Sequence, residues 1–133
     1  MTRPLRVLVV DDSEPVRALL AAALRQHGFL VYEAGTGTAA LRVAFDVLPA
    51  VAIVDQWMPE MNGTELIRLL RAAPQPEIRA MAIIGLSGRP GSEADLLGAG
   101  AETFLRKPFG EAELIAALAT ALGADPDAGA VPA

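Results

Sequence analysis

The chain has 133 residues, enough for one compact domain with one hydrophobic core but not comfortably for two. Hydrophobic residues make up 53% and charged residues 20%, which excludes a chain that is disordered throughout. The absence of cysteine excludes disulfides, cysteine-ligated zinc and thiol catalysis, and is typical of a cytoplasmic protein. A formal net charge of −5 argues against direct nucleic-acid binding, and no apolar run is long enough for a membrane span.

The first half of the chain alternates two strand patterns with two helix patterns. Residues 5–10 are apolar and rich in β-branched side chains, which predicts a strand. A helix is predicted over residues 14–26, with Ser13 as its N-cap. A second strand over residues 29–32 and a second helix over residues 38–47 follow.

The second half repeats the alternation three times. Residues 56–63 form a loop marked by Met-Pro and Asn-Gly, and Pro74 and Pro76 end the helix that follows it. The predicted strands are residues 50–54, 80–86 and 102–106. The predicted helices are residues 64–73, 92–98 and 111–122.

Five strands alternating with five helices predict a doubly wound α/β fold. Strands that are apolar on both faces indicate a parallel sheet covered by helices on both sides. We expect the flavodoxin-like strand order 2-1-3-4-5. Residues 123–133 consist of Ala, Gly, Asp, Pro and Val without periodicity, which favours a disordered tail.

Polar residues follow four of the five strands at their carboxyl ends. Asp11 and Asp12 follow the first strand, Asp55 the third, Ser87 the fourth and Lys107, the only lysine, the fifth. Ligands of open parallel sheets bind at this edge, where the strand order reverses. Clustered carboxylates favour Mg²⁺, and a carboxylate beside Mg²⁺ can attack phosphorus to form an aspartyl phosphate. Lysine and serine would then contact phosphate oxygens.

The same positions carry motifs that closely resemble the receiver domain of bacterial two-component response regulators. The motifs are Val-Val-Asp-Asp at residues 9–12, Asp-Gln-Trp-Met-Pro-Glu-Met-Asn-Gly at 55–63, Leu-Ser-Gly at 86–88 and Lys-Pro-Phe at 107–109. The resemblance runs from about residue 5 to 122, so we assign residues 1–122 to a receiver domain.

The resemblance implies a role for each acidic residue. Asp55 corresponds to the phosphoacceptor and also belongs to the Mg²⁺ site. Asp12 is implied as a direct metal ligand, and Asp11 as a ligand acting largely through metal-bound water. The backbone carbonyl of Trp57 is implied as a further ligand.

The resemblance also assigns the remaining site residues. Lys107 would pair with the phosphoryl group, and Ser87 would donate a hydrogen bond to it after moving toward it. Phe104 occupies the aromatic position whose rotamer changes with that movement. The peptide bond between Lys107 and Pro108 is expected to be cis.

The implied function is that of a signalling phosphoacceptor. The phosphoryl donor would be a sensor histidine kinase or a phosphotransferase, and the reader a downstream protein partner. The chain would be no enzyme beyond Mg²⁺-dependent self-phosphorylation and autodephosphorylation, and neither nucleic acid nor membrane is expected as a direct partner. Residues 111–122 lack the basic side chains that related dimers use across their interface, so we expect a monomer or weak dimer.

Three alternatives stay open at this stage. The chain could be a constitutive interaction module that its partner reads without phosphorylation. It could also be a fragment of a longer regulator with an output domain, because residues 123–133 suit either a terminus or a linker. A flavin-binding, flavodoxin-like protein is disfavoured because two aspartates stand where a phosphate cradle would require hydroxyl and Gly residues.

Two side chains flank the predicted phosphoacceptor. Trp57 follows Asp55 by two residues, and Arg89 follows Ser87 by two. They either cover the approach of water to a phosphoryl group or point into solvent, and the sequence does not decide between these arrangements.

Overall fold

The computed structural model describes residues 4–123, and its centre is a five-stranded parallel sheet with the order β2-β1-β3-β4-β5. The strands are β1 (Arg6–Val10), β2 (Leu30–Ala34), β3 (Val51–Asp55), β4 (Ala82–Ser87) and β5 (Thr103–Arg106). The helices are α1 (Glu14–Gln26), α2 (Gly37–Val47), α3 (Gly63–Arg71), α4 (Pro76–Arg79), α5 (Ser92–Ala99) and α6 (Glu111–Ala121). The predicted fold class and strand order are confirmed. Of the predicted tail at 123–133, all but Gly123 lies outside the described residues.

The sheet is buried on both faces, as the apolar strands predicted. Leu8 and Val10 pack with α2, α3 and α5 on one face, whereas Val7 and Val9 pack with α1 and α6 on the other. All four side chains are fully buried because successive residues of a strand point to opposite faces. Within residues 4–123, no helix combines the length and the apolar composition needed to cross a membrane.

The single turn α4 was not predicted from the sequence. Its first residue is Pro76, which the sequence pattern suggested only as a helix breaker. Proline is compatible with the first turn of a helix because the amide hydrogen it lacks has no partner there. Ile78 of this turn is fully buried, so the turn adds to the core beside α3.

Candidate functional site

The carboxyl ends of the central strands bring three carboxylates together. Asp11 and Asp12 follow β1, and Asp55 is the last residue of the neighbouring β3. Each residue offers one carboxylate oxygen, and these three oxygens lie within 4.8 Å of one another. Asp11 and Asp55 are buried, whereas Asp12 is exposed. The cluster therefore opens to solvent on the side of Asp12.

Asp11 is held by contacts to its carboxylate and to its backbone carbonyl. Its Oδ1 accepts a hydrogen bond of 2.9 Å from the backbone N–H of Ser13, the N-cap residue of α1. The Arg17 guanidinium donates a hydrogen bond of 2.7 Å to the Asp11 carbonyl. Asp11 Oδ2 is buried and lies 2.9 Å from Lys107 Nζ, within ion-pair distance. An ionised carboxylate oxygen has more than one lone pair, so Asp11 Oδ2 can bind a cation in addition to Lys107.

Lys107 bridges the two buried carboxylates. Its Nζ lies 2.9 Å from Asp11 Oδ2 and 3.1 Å from Asp55 Oδ1. Burial acts to lower the pKa of Lys107, but the contacts with the two carboxylates outweigh it and raise the pKa above its usual value. The ammonium group therefore stays charged and offsets part of the negative charge.

Asp55 is the perturbed acid of the cluster. Burial, together with the charge of Asp11 and a smaller effect of Asp12, raises its pKa from 3.8 to about 6, although contact with Lys107 acts in the opposite direction. A single ammonium group does not balance three carboxylates that lie this close. A bound cation would relieve the remaining repulsion.

The loop after β3 is held tightly against Asp55. The buried Gln56 side chain accepts hydrogen bonds of 2.8 and 2.9 Å from the backbone N–H and the hydroxyl of Thr64 in α3. A Cβ at Gly63 would lie 2.5 Å from the Asp55 carbonyl oxygen, so only glycine allows this close approach. The role of Gln56 was not predicted from the sequence, because the Thr64 groups that bind its side-chain oxygen lie eight residues further along the chain, in α3.

Ser87, at the end of β4, is buried and makes two hydrogen bonds through its hydroxyl. It donates to the Ser92 hydroxyl at 3.0 Å and accepts from the backbone N–H of Arg89 at 3.1 Å. Neither Asp55 nor Lys107 is among its hydrogen-bond partners in the described part of the chain. The contact of Ser92 with Ser87 was not predicted from the sequence, because Ser92 resembles any serine at the start of a helix.

Trp57 and Arg89 pack on each other beside the site. The Arg89 guanidinium carbon lies 4.5 Å from the centroid of the indole ring. The Trp57 Nε1–H donates a hydrogen bond of 3.1 Å to the Ser92 hydroxyl, while 46% of the residue is exposed. The two side chains therefore have defined positions rather than extending separately into solvent.

Phe104 and Pro108 complete the set of predicted positions. Phe104 is half-buried against the core side formed by α2, α3 and α5. It also lines a surface pocket of about 380 Å³ with Leu97 and Arg106. The peptide bond between Lys107 and Pro108 is cis in the structure.

Comparison with known proteins relates this arrangement to a family. The family model for the response regulator receiver domain matches residues 7–119, which include every strand end described above. The chain belongs to the response regulator receiver domain family. Both the predicted family and the predicted fold are thereby confirmed.

Curated relatives of the receiver domain are bacterial regulators. The KDP operon transcriptional regulatory protein KdpE of Escherichia coli is 40% identical over 119 residues, which cover 87% of this chain and 50% of KdpE. The chain spans about half the length of the curated relatives it matches, between 47% and 50%.

Solved structures share the whole fold of the receiver domain. The chemotaxis response regulator CheY4 of Vibrio cholerae is 30% identical with a TM-score of 0.82, over 90% of this chain and 99% of CheY4. The receiver domain of the sensor histidine kinase PA1611 of Pseudomonas aeruginosa is 29% identical with a TM-score of 0.82, over 91% of this chain and 99% of that domain. The PA1611 structure is described with a magnesium ion coordinated in its active-site cleft.

Proposed function

We propose that this receiver domain accepts a phosphoryl group on Asp55 from a histidine kinase or phosphotransferase, in a reaction that depends on Mg²⁺. The observation that carries the proposal is the cluster of three carboxylates with Lys107 Nζ 3.1 Å from Asp55 Oδ1. A carboxylate nucleophile, a cation site and a fixed ammonium group are the parts that phosphoryl transfer to aspartate requires.

The residues present fit Mg²⁺. The three carboxylates supply oxygen atoms only, as this hard cation prefers. We assign Asp11, Asp12 and Asp55 as ligands, together with the backbone carbonyl of Trp57. When bound, Mg²⁺ neutralises negative charge on the carboxylates and on an incoming phosphoryl group.

Asp55 acts as the nucleophile in the proposed reaction. A carboxylate oxygen forms a bond to phosphorus while the bond from phosphorus to the donor histidine nitrogen breaks, and the electron pair of that bond stays with the imidazole. Lys107 holds one Asp55 oxygen and is placed to pair with a phosphate oxygen once the group is transferred. Ser87 is the proposed hydroxyl donor, and Phe104 the aromatic side chain that responds to its movement.

The proposal extends to the biological setting. The phosphorylated domain would be read by a downstream protein partner or by an output domain such as the curated relatives carry in their other half. The chain would catalyse only its own phosphorylation and dephosphorylation. The same proposal includes a cytoplasmic location and a monomeric or weakly dimeric state. It also includes no direct nucleic-acid binding by residues 1–122. The disordered tail expected at 123–133 stays a prediction.

Phosphorylation by a small acyl phosphate tests the proposal. With Mg²⁺ present, the mass of the intact wild-type protein should increase by one phosphoryl group, and Asp55→Asn should show no increase. Asp12→Ala should lose both Mg²⁺ binding, measured by titration, and the labelling. Asp46→Asn is the matched control, because Asp46 is an exposed aspartate of α2 that does not belong to the cluster. Labelling of Asp55→Asn to the wild-type level would disprove the assignment.

A further inference from the structure

A buried hydroxyl without a role in the proposed reaction connects three elements beside Asp55. Ser92, the first residue of α5, is 1% exposed. Its Oγ accepts a hydrogen bond of 3.0 Å from Ser87 Oγ and one of 3.1 Å from Trp57 Nε1. Ser87 belongs to β4 and Trp57 to the loop after β3. Ser92 is therefore the common acceptor for one residue of β4 and one of the loop after β3.

The hydrogen bond to Ser92 restricts what the Ser87 hydroxyl can do. A serine hydroxyl carries one hydrogen, so it donates one hydrogen bond at a time. In the structure that hydrogen is directed to Ser92, while the Ser87 oxygen accepts from Arg89. Donation to a phosphoryl oxygen on Asp55 therefore requires Ser87 to give up its bond to Ser92.

We propose that Ser92 is a positioning residue that holds Ser87 in its resting orientation. This bond would stabilise the resting state and so raise the free energy of the phosphoryl-bound state relative to it. This inference rests on the proposed function of Asp55 and Ser87. The indole N–H of Trp57 donates to the same Ser92 oxygen. It also leaves Ser92 with one partner after Ser87 turns away, so the buried hydroxyl is not orphaned in the active state.

The proposal is tested with beryllofluoride, a phosphoryl analogue, titrated into Mg²⁺-loaded protein by calorimetry. Ser92→Ala removes the acceptor that Ser87 uses in its resting orientation. The resting state then loses a hydrogen bond that the analogue-bound state does not make, so the variant should bind the analogue more tightly. A typical net hydrogen bond corresponds to about a fivefold change in affinity. Ser92→Cys, whose sulfur is a weak acceptor of similar shape, should shift in the same direction.

A double-mutant cycle separates positioning from a general effect on the fold. Ser92→Ala should change the affinity only where Ser87 is present, and should have no effect in a Ser87→Ala background. Thr120→Ala, which removes an exposed hydroxyl from α6, serves as the matched control and should leave the affinity unchanged.

The single tryptophan gives a second readout that does not depend on binding. Its indole N–H yields one NMR resonance, which should move and exchange faster with water in Ser92→Ala because its acceptor is gone.

Unchanged or weaker analogue binding by both Ser92 variants would overturn the positioning role, as would an effect that persists without Ser87. Failure of the wild type both to bind the analogue and to be labelled would instead overturn the proposed function.

Discussion

The guanidinium of Arg89 lies over the indole ring of Trp57, with 4.5 Å between the guanidinium carbon and the ring centroid. The two residues come from the loops after β4 and β3, the strands that end in Ser87 and Asp55. The stack is thus built by the loops that border the proposed phosphorylation site, and it supports the covering arrangement over two separately solvated side chains.

Removal of either half of this stack should shorten the lifetime of the phosphorylated protein. Hydrolysis requires water to approach in line with the bond between phosphorus and the Asp55 oxygen, and covering side chains oppose that approach. An exposed cation–π contact contributes about 0.5–1 kcal/mol, so Trp57→Asn and Arg89→Ala should lose the phosphoryl group about two to five times faster. Decay of labelled protein at saturating Mg²⁺ measures this. Equal decay rates in wild type and both variants would contradict the covering role.

Stability without metal should depend on pH through Asp55. Its pKa is 3.8 in the unfolded chain and about 6 in the folded protein, so the folded protein binds the extra proton between these values. The free energy of unfolding of the wild type should therefore fall, relative to Asp55→Asn, as the pH rises from about 4 through 6. A shift of about two pKa units corresponds to about 3 kcal/mol at neutral pH.

Urea denaturation in EDTA at pH 4 and pH 7 measures this difference. The groups that face Asp55 are Asp11, Asp12 and Lys107, and all three are kept in the variant. Asp46→Asn is the matched control, because it removes one exposed carboxylate and leaves the cluster intact. If the difference in the free energy of unfolding between Asp55→Asn and wild type did not change with pH, the raised pKa of Asp55 would be disproved.

Arg71 lies at the edge of the sheet opposite the site, and we expect its contacts to stabilise the folded state. Its guanidinium donates to the carbonyls of Arg79, Met81 and Gly100 and pairs with Glu102 at 2.8 Å. Arg71→Ala leaves several of these groups without a donor, which should lower the free energy of unfolding by about 3 kcal/mol. Chemical denaturation measures this loss.

Arg68 provides the matched control for Arg71. It lies one turn earlier in α3 and is exposed. Arg68→Ala should change the free energy of unfolding by less than about 0.5 kcal/mol. Equal losses in the two variants would show that the carbonyl contacts of Arg71 contribute little.

Much of the fold and the main chemistry could be predicted from the sequence. Strands that are apolar on both faces predict burial between two helix layers, and Val7 to Val10 are indeed fully buried. Since parallel strands end at one edge of a sheet, the positions of Asp11, Asp55 and Lys107 after their strands were sufficient to predict one shared site. The helix bounds 14–26 followed from local signals alone, the Ser13 cap and the apolar periodicity.

Other features depend on contacts that no local pattern encodes. Pro76 was predicted only to end a helix, but it begins α4, which is held in place by burial of Ile78 in the core. The Arg71 contacts join α3 to residues up to 31 positions away.

The sequence by itself determined which residues meet at the carboxyl edge of the sheet, because the end of each strand can be located from the local pattern of apolar and polar residues. Only the tertiary structure decided which hydrogen bonds these residues make. The Trp57 indole finds its acceptor 35 residues away in Ser92, and Ser87 shares that acceptor. Side-chain direction in a loop depends on the neighbours that the folded chain supplies, so the restraint on Ser87 emerges only when β3, β4 and α5 are packed together.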